Sequence, residues 1–454
     1  MKHYDVVVVG KGASQYIISK AAQKYDEIAV IDSPPIGGTC MNFGCIPTKT
    51  LVYPADRIRD IVNSDQLGID ADMKDANFIE QLKKVRKARQ KNRQSQQEYL
   101  DQTVNIDYYS GEGYFTDKYT LEVKGQKLSG DKIFLANGAR PFIPPIRGVE
   151  DIDYLTNESI LELTQKPKSI IIVGGGYISL EYAHILSAFG IDITVLERQD
   201  RLMSNMEPEI SKLLEKEVRK FADLRLNTTA REISSGDGIT VIADSPEGQR
   251  KIQGERLFLA TGRKSNADTL NLENTNIKVD EREYIKVNRY LETDQKKVWA
   301  IGDIIGKDML KHIANHEARI AWHNANNPEK KEMRYHASPK VIFTHPEIGS
   351  VGLTEKQARK GHSILIGKAR FNSVRKGSIM KDYKGFVKVI VNKKDRKLLG
   401  FHIIGPQASI LLQEAALVIA NRGKIDYIIN SIHTFPALSE IVLKPLLNLE
   451  EPEK

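Results

Sequence analysis

The chain has 454 residues, length enough for about three domains, with a formal net charge of +8 and only two cysteines. So few cysteines exclude a disulfide-stapled secreted scaffold, and the lack of any apolar run near 18 residues excludes a membrane-spanning helix, so a soluble, reducing, cytoplasmic setting is expected. The basic balance raises nucleic acid as a partner, but the densest run, Lys83 to Arg93, is a polar helical stretch near Glu80 and Glu98 with one aromatic, Tyr99; it reads as a solvated helix face, with no nucleic-acid or membrane partner.

In chain order, Lys2 and His3 precede a four-valine run, too short for a signal-peptide core. Asp5 to Val9 instead reads as a buried strand. Gly10-Lys11-Gly12 follows, then a helical run to about Lys24, then a strand from Ile28 to Ile31 ending in Asp32, twenty residues after Gly12. Strand, Gly-x-Gly, helix, strand and acid form the dinucleotide fingerprint: the glycines let backbone N–H groups approach a pyrophosphate and the acid accepts from a ribose hydroxyl. Gln15 stands where a third glycine is expected, which weakens helix–strand packing without touching the phosphate contact.

Both cysteines lie in the next segment, Gly38-Thr39-Cys40-Met41-Asn42-Phe43-Gly44-Cys45-Ile46-Pro47-Thr48-Lys49. Four intervening residues allow one turn to close a disulfide, provided the Cα atoms come within about 7 Å. Pro47 suits the first turn of a helix, read over Thr50 to Val62. Cys45 then sits near a helix N-terminus with Lys49 one turn on, and both features favour a thiolate. A zinc half-site would need a second cysteine pair, which the chain lacks. The segment reads as a redox-active dithiol.

The first pattern then recurs. Ser169 to Val173 is a buried-strand run followed by Gly174-Gly175-Gly176, a helix through about Gly190, and a strand Ile193 to Leu196 ending in Glu197. Each unit closes on a similar turn, Leu135 to Arg140 with Gly138 and Leu259 to Arg263 with Gly262. This internal duplication predicts an α/β chain with two Rossmann-like domains. With a dithiol in the electron path, one dinucleotide should be a flavin and the other a nicotinamide. Glu197 would accept from a free 2′-hydroxyl and repel a 2′-phosphate, so NADH is expected to be preferred or both NADH and NADPH accepted; Arg198 and Arg201 follow and either could swing onto a phosphate. Farther on, Gly385 to Val391 and Leu398 to Ile404 read as strands and helices begin near Ala408.

These residues resemble the class I pyridine nucleotide–disulfide oxidoreductases, the glutathione reductase and lipoamide dehydrogenase type, over essentially the whole chain. The resemblance rests on the Cys-x4-Cys segment, Gly174 to Ile178 with Glu181, Ala260 to Arg263, Ala300-Ile301-Gly302-Asp303, Phe343 to Glu347 and Val351 to Glu355. Leu310 to Arg319 and Gly262 to Asp268 look most like the mycothione reductase branch, which also departs from glycine at the position of Gln15. It implies a discontinuous FAD domain (1–145 and 268–335), an NAD(P) domain (146–267) and an α+β interface domain (336–454) that makes a homodimer. Gly10, Gly12, Asp32, Gly38, Thr39, Gly138 and Asp303 would be FAD contacts, Asp303 on the ribityl chain. Gly174, Gly176, Glu197 and Gly262 would face the nicotinamide nucleotide, whose pocket Tyr177 gates. Lys49 and Glu181 would pair near the flavin N5, with Cys45 the flavin-side thiolate and Cys40 the interchange thiol.

The C-terminus departs from the family. A histidine is expected directly before Pro436 and five residues before the orienting Glu440, but Phe435 holds that place and His433 lies two residues earlier. Either His433 serves through a rearranged loop or the site has no histidine acid–base. The expected activity is FAD-dependent NAD(P)H reduction of a low-molecular-weight disulfide. The alternatives are a metal-ion or quinone reductase, a lipoamide dehydrogenase, and a non-catalytic redox sensor. Mercury itself is disfavoured, since the chain does not end in a cysteine pair.

Overall fold

A computed structural model describes residues 1–381 and 384–452. The expected C-terminal domain, 336–454, therefore includes residues 382, 383, 453 and 454, which lie outside the described residues. The first strand, Lys2–Val9, buries Tyr4 and Val6 to Val8 completely, as a strand covered on both faces must. It pairs in parallel with Ile28–Asp32 on one side and Gln126–Leu135 on the other. Ile106–Ser110 extends the sheet at one end, and Val298–Ala300 pairs with Ile133 to Leu135 at the other. The last strand belongs to a much later stretch of chain, so this unit is discontinuous.

Between the second and third parallel strands the chain inserts three helices, Gly38–Asn42, Cys45–Val62 and Phe78–Gln102. The cysteine helix starts at Cys45, five residues before the Thr50 expected from sequence. Pro47 falls in its first turn, where the missing N–H costs nothing, and Cys45 is its first residue. The Phe78–Gln102 helix is capped by the Asn77 side chain, which accepts from the Glu80 N–H at 3.0 Å. Its basic run is not wholly a solvated face. Lys83, Lys84, Lys87 and Lys91 are exposed, but Arg86 donates to the Leu161 carbonyl at 2.8 Å, buried Arg89 pairs with Glu162 at 2.6 Å and Arg93 donates to Asn42 at 2.6 Å. Arg86 and Arg89 thus fasten the helix to residues 161 and 162, and Arg93 fastens it to the cysteine segment.

The second unit repeats the first on a smaller scale. Asp223–Arg225, Asp192–Leu196, Ser169–Val173 and Arg256–Leu259 form a parallel sheet in that order, and Thr229–Gly236, Gly238–Ser245 and Gly248–Gly254 form an antiparallel sheet beside it. Where the chain leaves and re-enters the first unit, Ala139–Pro141 and Arg263–Ser265 pair antiparallel. The third unit is a six-stranded antiparallel sheet in the order 340–342, 348–352, 398–404, 386–392, 364–370 and 449–450, with the apolar helix Ala408–Ala420 packed on it. The architecture is α/β: two Rossmann-like units and an α+β third. Among the described residues no helix is long and apolar enough to cross a membrane.

Candidate redox site

The duplicated loops are built alike. A Cβ at Gly10 (φ +90°) would meet the Ala136 carbonyl oxygen at 2.4 Å, and one at Gly174 (φ +111°) would meet the Ala260 oxygen at 2.4 Å. Each first glycine is therefore required by the strand end against which its loop is pressed. The residue between the glycines donates its backbone N–H to the acid in both units: Lys11 to Asp32 at 3.0 Å, and Gly175 to Glu197. Asp32 also accepts from the Gly37 N–H at 3.2 Å, while its burial pushes its pKa up. Glu197 accepts from the Gln199 N–H at 2.7 Å, so both its oxygens face its own backbone. Gln15 proves to have a partner of its own: its carbonyl accepts from the Nζ of buried Lys11 at 2.9 Å. Burial pulls the Lys11 ammonium down to a pKa of about 8.

Gly38 opens the cysteine segment by close contact with the first loop; a Cβ there would lie 2.5 Å from Gly12 Cα. Beyond it Cys40 sits in the middle of the short helix Gly38–Asn42 and Cys45 at the start of the next, both lining one cavity of about 1330 Å³. Both are free thiols in this structure. A hydrogen bond between them works in opposite directions on the two sulfurs. With Lys49 assisting and burial opposing, it lowers Cys45 to a pKa of about 7; with burial assisting, it raises Cys40 well above an ordinary thiol. The pair titrates as one unit, with the first negative charge on Cys45.

Lys49, one turn along from Cys45, extends its Nζ to both oxygens of buried Glu181 at 2.8 and 2.7 Å. Glu181 lies on the helix Tyr177–Ala188 of the second unit and also accepts from the Phe343 N–H of the third at 3.1 Å. All three units meet at this carboxylate. Immediately behind it Asp56 bonds His184 at 2.9 Å, and Arg59 donates to the other imidazole nitrogen at 2.8 Å. Burial lowers the His184 pKa, so the ring is neutral and satisfied on both sides.

The cavity takes in the first-unit residues Gly10, Gly12, Asp32, Gly38, Thr39, Gly138 and Asp303, together with Cys40, Cys45, Lys49, Tyr177 and Glu181. Gly174, Gly176, Glu197 and Gly262 lie outside it, at the second unit's own loops. Burial raises the Asp303 carboxyl, and Arg263 Nε stands 3.5 Å from it, buried and without a hydrogen-bond partner. No local spacing signals Arg263, which reaches Asp303 and, farther off in the chain, Ala139 and Thr39, or Lys311, whose Nζ donates to the Gly12 carbonyl at 2.9 Å. The glycine contacts that leave no room for a Cβ, the tethered acid and the orphaned Arg263 nitrogen together fit a dinucleotide with a polar chain beyond its phosphates.

His433 and Glu440 do not bond each other. His433 bonds Glu414 at 3.2 Å and the Ser431 carbonyl at 3.1 Å, whereas Glu440 accepts from the Ala437 N–H at 3.4 Å. Glu414 lies on the Ala408–Ala420 helix, which packs beneath this loop and so reaches the imidazole first. Neither residue lines the cavity of its own chain, and the Phe435 ring is 69% exposed.

Comparison with known proteins agrees with this arrangement. Residues 4–325 match the family described as pyridine nucleotide-disulphide oxidoreductase, and residues 338–445 match that family's dimerisation domain. The chain is 32% identical to the mycothione reductase of Mycobacterium tuberculosis, over 99% of this chain and 100% of that protein. It is 30% identical to the mercuric reductase of Lysinibacillus sphaericus, over 92% of this chain and 77% of that one. Among solved structures, the Cu(II) complex of the HOCl-induced flavoprotein disulfide reductase RclA from Escherichia coli superposes with a TM-score of 0.87 at 26% identity, covering 98% of this chain and 99% of that chain.

Proposed function

We propose, on the premise that this chain belongs to the pyridine nucleotide-disulphide oxidoreductase family of FAD-dependent, NAD(P)H-linked enzymes acting on sulfur groups, that it reduces a low-molecular-weight disulfide through Cys40 and Cys45. One observation carries this reading: two thiols of opposite perturbation share a cavity with a lysine–carboxylate pair at 2.7 Å. Gly10, Gly12, Asp32, Gly38, Thr39, Gly138 and Asp303 would hold FAD, which when bound supplies the two-electron relay between nicotinamide and sulfur. Gly174, Gly176, Gly262 and Glu197 would hold the nicotinamide nucleotide, and Tyr177, at the start of its helix and partly exposed, would cover the approach to the flavin. Lys49 and Glu181 would fix the charge beside Cys45. Cys45 waits as the thiolate, and Cys40 attacks the substrate.

The tethered Glu197 carboxylate favours a free 2′-hydroxyl, so NADH is the preferred donor. The dimerisation domain supports a homodimer, in which His433 and Glu440 would be presented to the partner, and the sparse cysteines suit a cytoplasmic setting. The mycothione reductase relative supports a small thiol disulfide as substrate. Metal-ion or quinone reduction is the second reading, favoured by Phe435 where a histidine was expected, by the mercuric reductase relative and by the Cu(II) complex of RclA.

Anaerobic titration with NADH tests the proposal. Reduction should produce a long-wavelength band from a Cys45 thiolate beside oxidised flavin, and Cys45→Ser should lack both that band and disulfide turnover. An acceptor panel of small-thiol disulfides, lipoamide, quinones and Cu(II), run with NADH and NADPH, should rank the disulfides first. Faster turnover of Cu(II) or quinone would transfer the assignment to the second reading, and a preference for NADPH above about tenfold would overturn the role given to Glu197.

A further inference from the structure

Lys311 lines the same cavity as the two sulfurs and has no part in the reading above. It is the first residue of the helix Lys311–Asn326, and its Nζ donates to the Gly12 carbonyl at 2.9 Å. Gly12 is the contact of Gly38, the residue that opens the Cys40 helix, so the ammonium is anchored to the loop on which that helix is seated. The charged and titratable groups facing it come from four elements. Cys40 and Cys45 lie on their two helices and Asp303 on the turn Gly302–Ile305, while Lys11 opposes it from the loop. Arg263 stands beyond Asp303 at 3.5 Å, and Lys49 is engaged with Glu181. Burial lowers the Lys311 pKa while both sulfurs and Asp303 raise it, so its charge and theirs depend on one another.

Disulfide interchange needs a negative charge on Cys40, and the fold disfavours it: the bond from Cys45 and burial both hold that thiol protonated. Lys49 serves Cys45, and His433 is held by Glu414 and Ser431. Lys311 is the cation whose field acts on Cys40 in the opposite sense. We propose that Lys311 supplies the positive charge that stabilises the Cys40 thiolate during disulfide interchange, so that each sulfur of the pair has its own lysine. This deepens the disulfide reductase reading and rests on it.

The step balances as thiol–disulfide exchange. Cys40 loses its proton to solvent, and its sulfur attacks one sulfur of the substrate disulfide, expelling the first thiolate, which takes up a proton. Cys45 then attacks Cys40 and expels the second thiolate. The dithiol is oxidised and the substrate reduced; FAD, where the first unit's glycine loop and Asp303 would hold it, would supply the two electrons that restore the dithiol.

The test uses the FAD-loaded protein in a Cys45→Ser background, where Cys40 is the only cysteine. The rate of Cys40 alkylation by iodoacetamide is read by mass against pH, with FAD content per chain measured on the same samples. Lys311→Gln retains an amide donor for the Gly12 carbonyl but no charge. It should move the midpoint up by about one pH unit and slow alkylation near neutral pH about tenfold. Lys311→Arg, which keeps the charge, should match the parent. An unchanged profile in Lys311→Gln with full FAD content overturns the proposal. Should Lys311→Gln not fold, Lys311→Met, of similar length and without charge, is read in the same way: an upward shift of the midpoint is expected, and an unchanged profile with full FAD content overturns the proposal. Disulfide turnover surviving in Cys40→Ser would sink the reductase reading itself, whereas the alkylation profile still judges Lys311.

Discussion

Two thiols of one chemical type are told apart by their neighbours. Cys45 begins a helix and has Lys49 one turn on, so the N-terminal partial charge, the ammonium and the hydrogen bond from Cys40 all favour its thiolate. Glu181 works the other way, raising Cys45 while neutralising Lys49. Replacing the two partners should therefore move Cys45 in opposite directions from its value near 7. Lys49→Met is expected to raise the midpoint of the thiolate's ultraviolet absorbance by about one pH unit, and Glu181→Gln to lower it by a similar amount. A common direction for both would mean that the pair acts on Cys45 by holding shape rather than by charge. Because the folded pKa lies below that of an ordinary thiol, the stabilisation it brings is complete above about pH 9 and is lost as pH falls through 7. The cysteine segment was legible in the sequence because its parts lie within one or two turns of each other. Lys311 and Arg263 were not, since their partners Gly12 and Thr39 are hundreds of residues away.

At the scale of elements, what the sequence revealed was periodic and local. The buried valines and isoleucines of the strands Lys2–Val9 and Ser169–Val173, the glycine loops after them and the acids ending the next strands all follow from short spacings. The cysteine helix starts five residues before the Thr50 expected from sequence, at Cys45 with Gly44 as its N-cap, because Pro47 in the first turn carries the helix back to the cysteine. The turn Gly302–Ile305, which carries Asp303 into the cavity, depends on a contact no spacing announces. Glu317, buried in the Lys311–Asn326 helix, accepts from the Gly302 N–H at 2.7 Å and from Tyr335 at 2.7 Å. Burial raises its pKa to about 7 against those two bonds. A folded pKa above the ordinary carboxyl value means the folded state binds the extra proton between about pH 4.5 and 7. Stability should fall as pH rises through that window, and the loss is complete above it. Glu317→Gln removes the titration while keeping an acceptor for Gly302. Its melting temperature should match the parent near pH 4 and exceed it near pH 8, by of order 2 kcal/mol in stability. A variant less stable at both ends would show that the carboxylate form itself is needed to hold the turn.

Across the whole molecule, the redox site depends on three units holding a fixed arrangement, because Lys49, Glu181 and the Phe343 N–H come one from each. A second junction between the second and third units helps fix it. Lys388 of the strand Phe386–Asn392 is 1% exposed and reaches Glu207 at 2.5 Å, Glu209 at 3.0 Å and Glu355 at 2.7 Å. Glu207 and Glu209 flank the start of the second unit's helix Pro208–Val218, whereas Glu355 and Lys388 belong to the third unit. The three carboxylates lie close enough together to suit a cation, and the lysine ammonium takes that position. Burial opposes its charge, but the surrounding carboxylates more than offset this and raise its pKa. Lys388 lies far along the chain from Glu207, in a strand that otherwise reads as apolar, which is why no local spacing signals the junction. Lys388→Met would leave buried Glu207 without its cation, while Glu209 keeps Lys368 at 2.7 Å and Glu355 keeps Arg359 at 2.7 Å. Such a loss destabilises by about 3–5 kcal/mol, and the unfolding curve in urea should separate into two transitions as the third unit uncouples from the second. Adding Glu207→Gln should recover part of that loss, because the uncompensated charge rather than the missing lysine is what the fold cannot carry. Additive effects of the two substitutions, or a single unshifted transition in Lys388→Met, would show that the apolar contacts between the units hold them without the ionic junction.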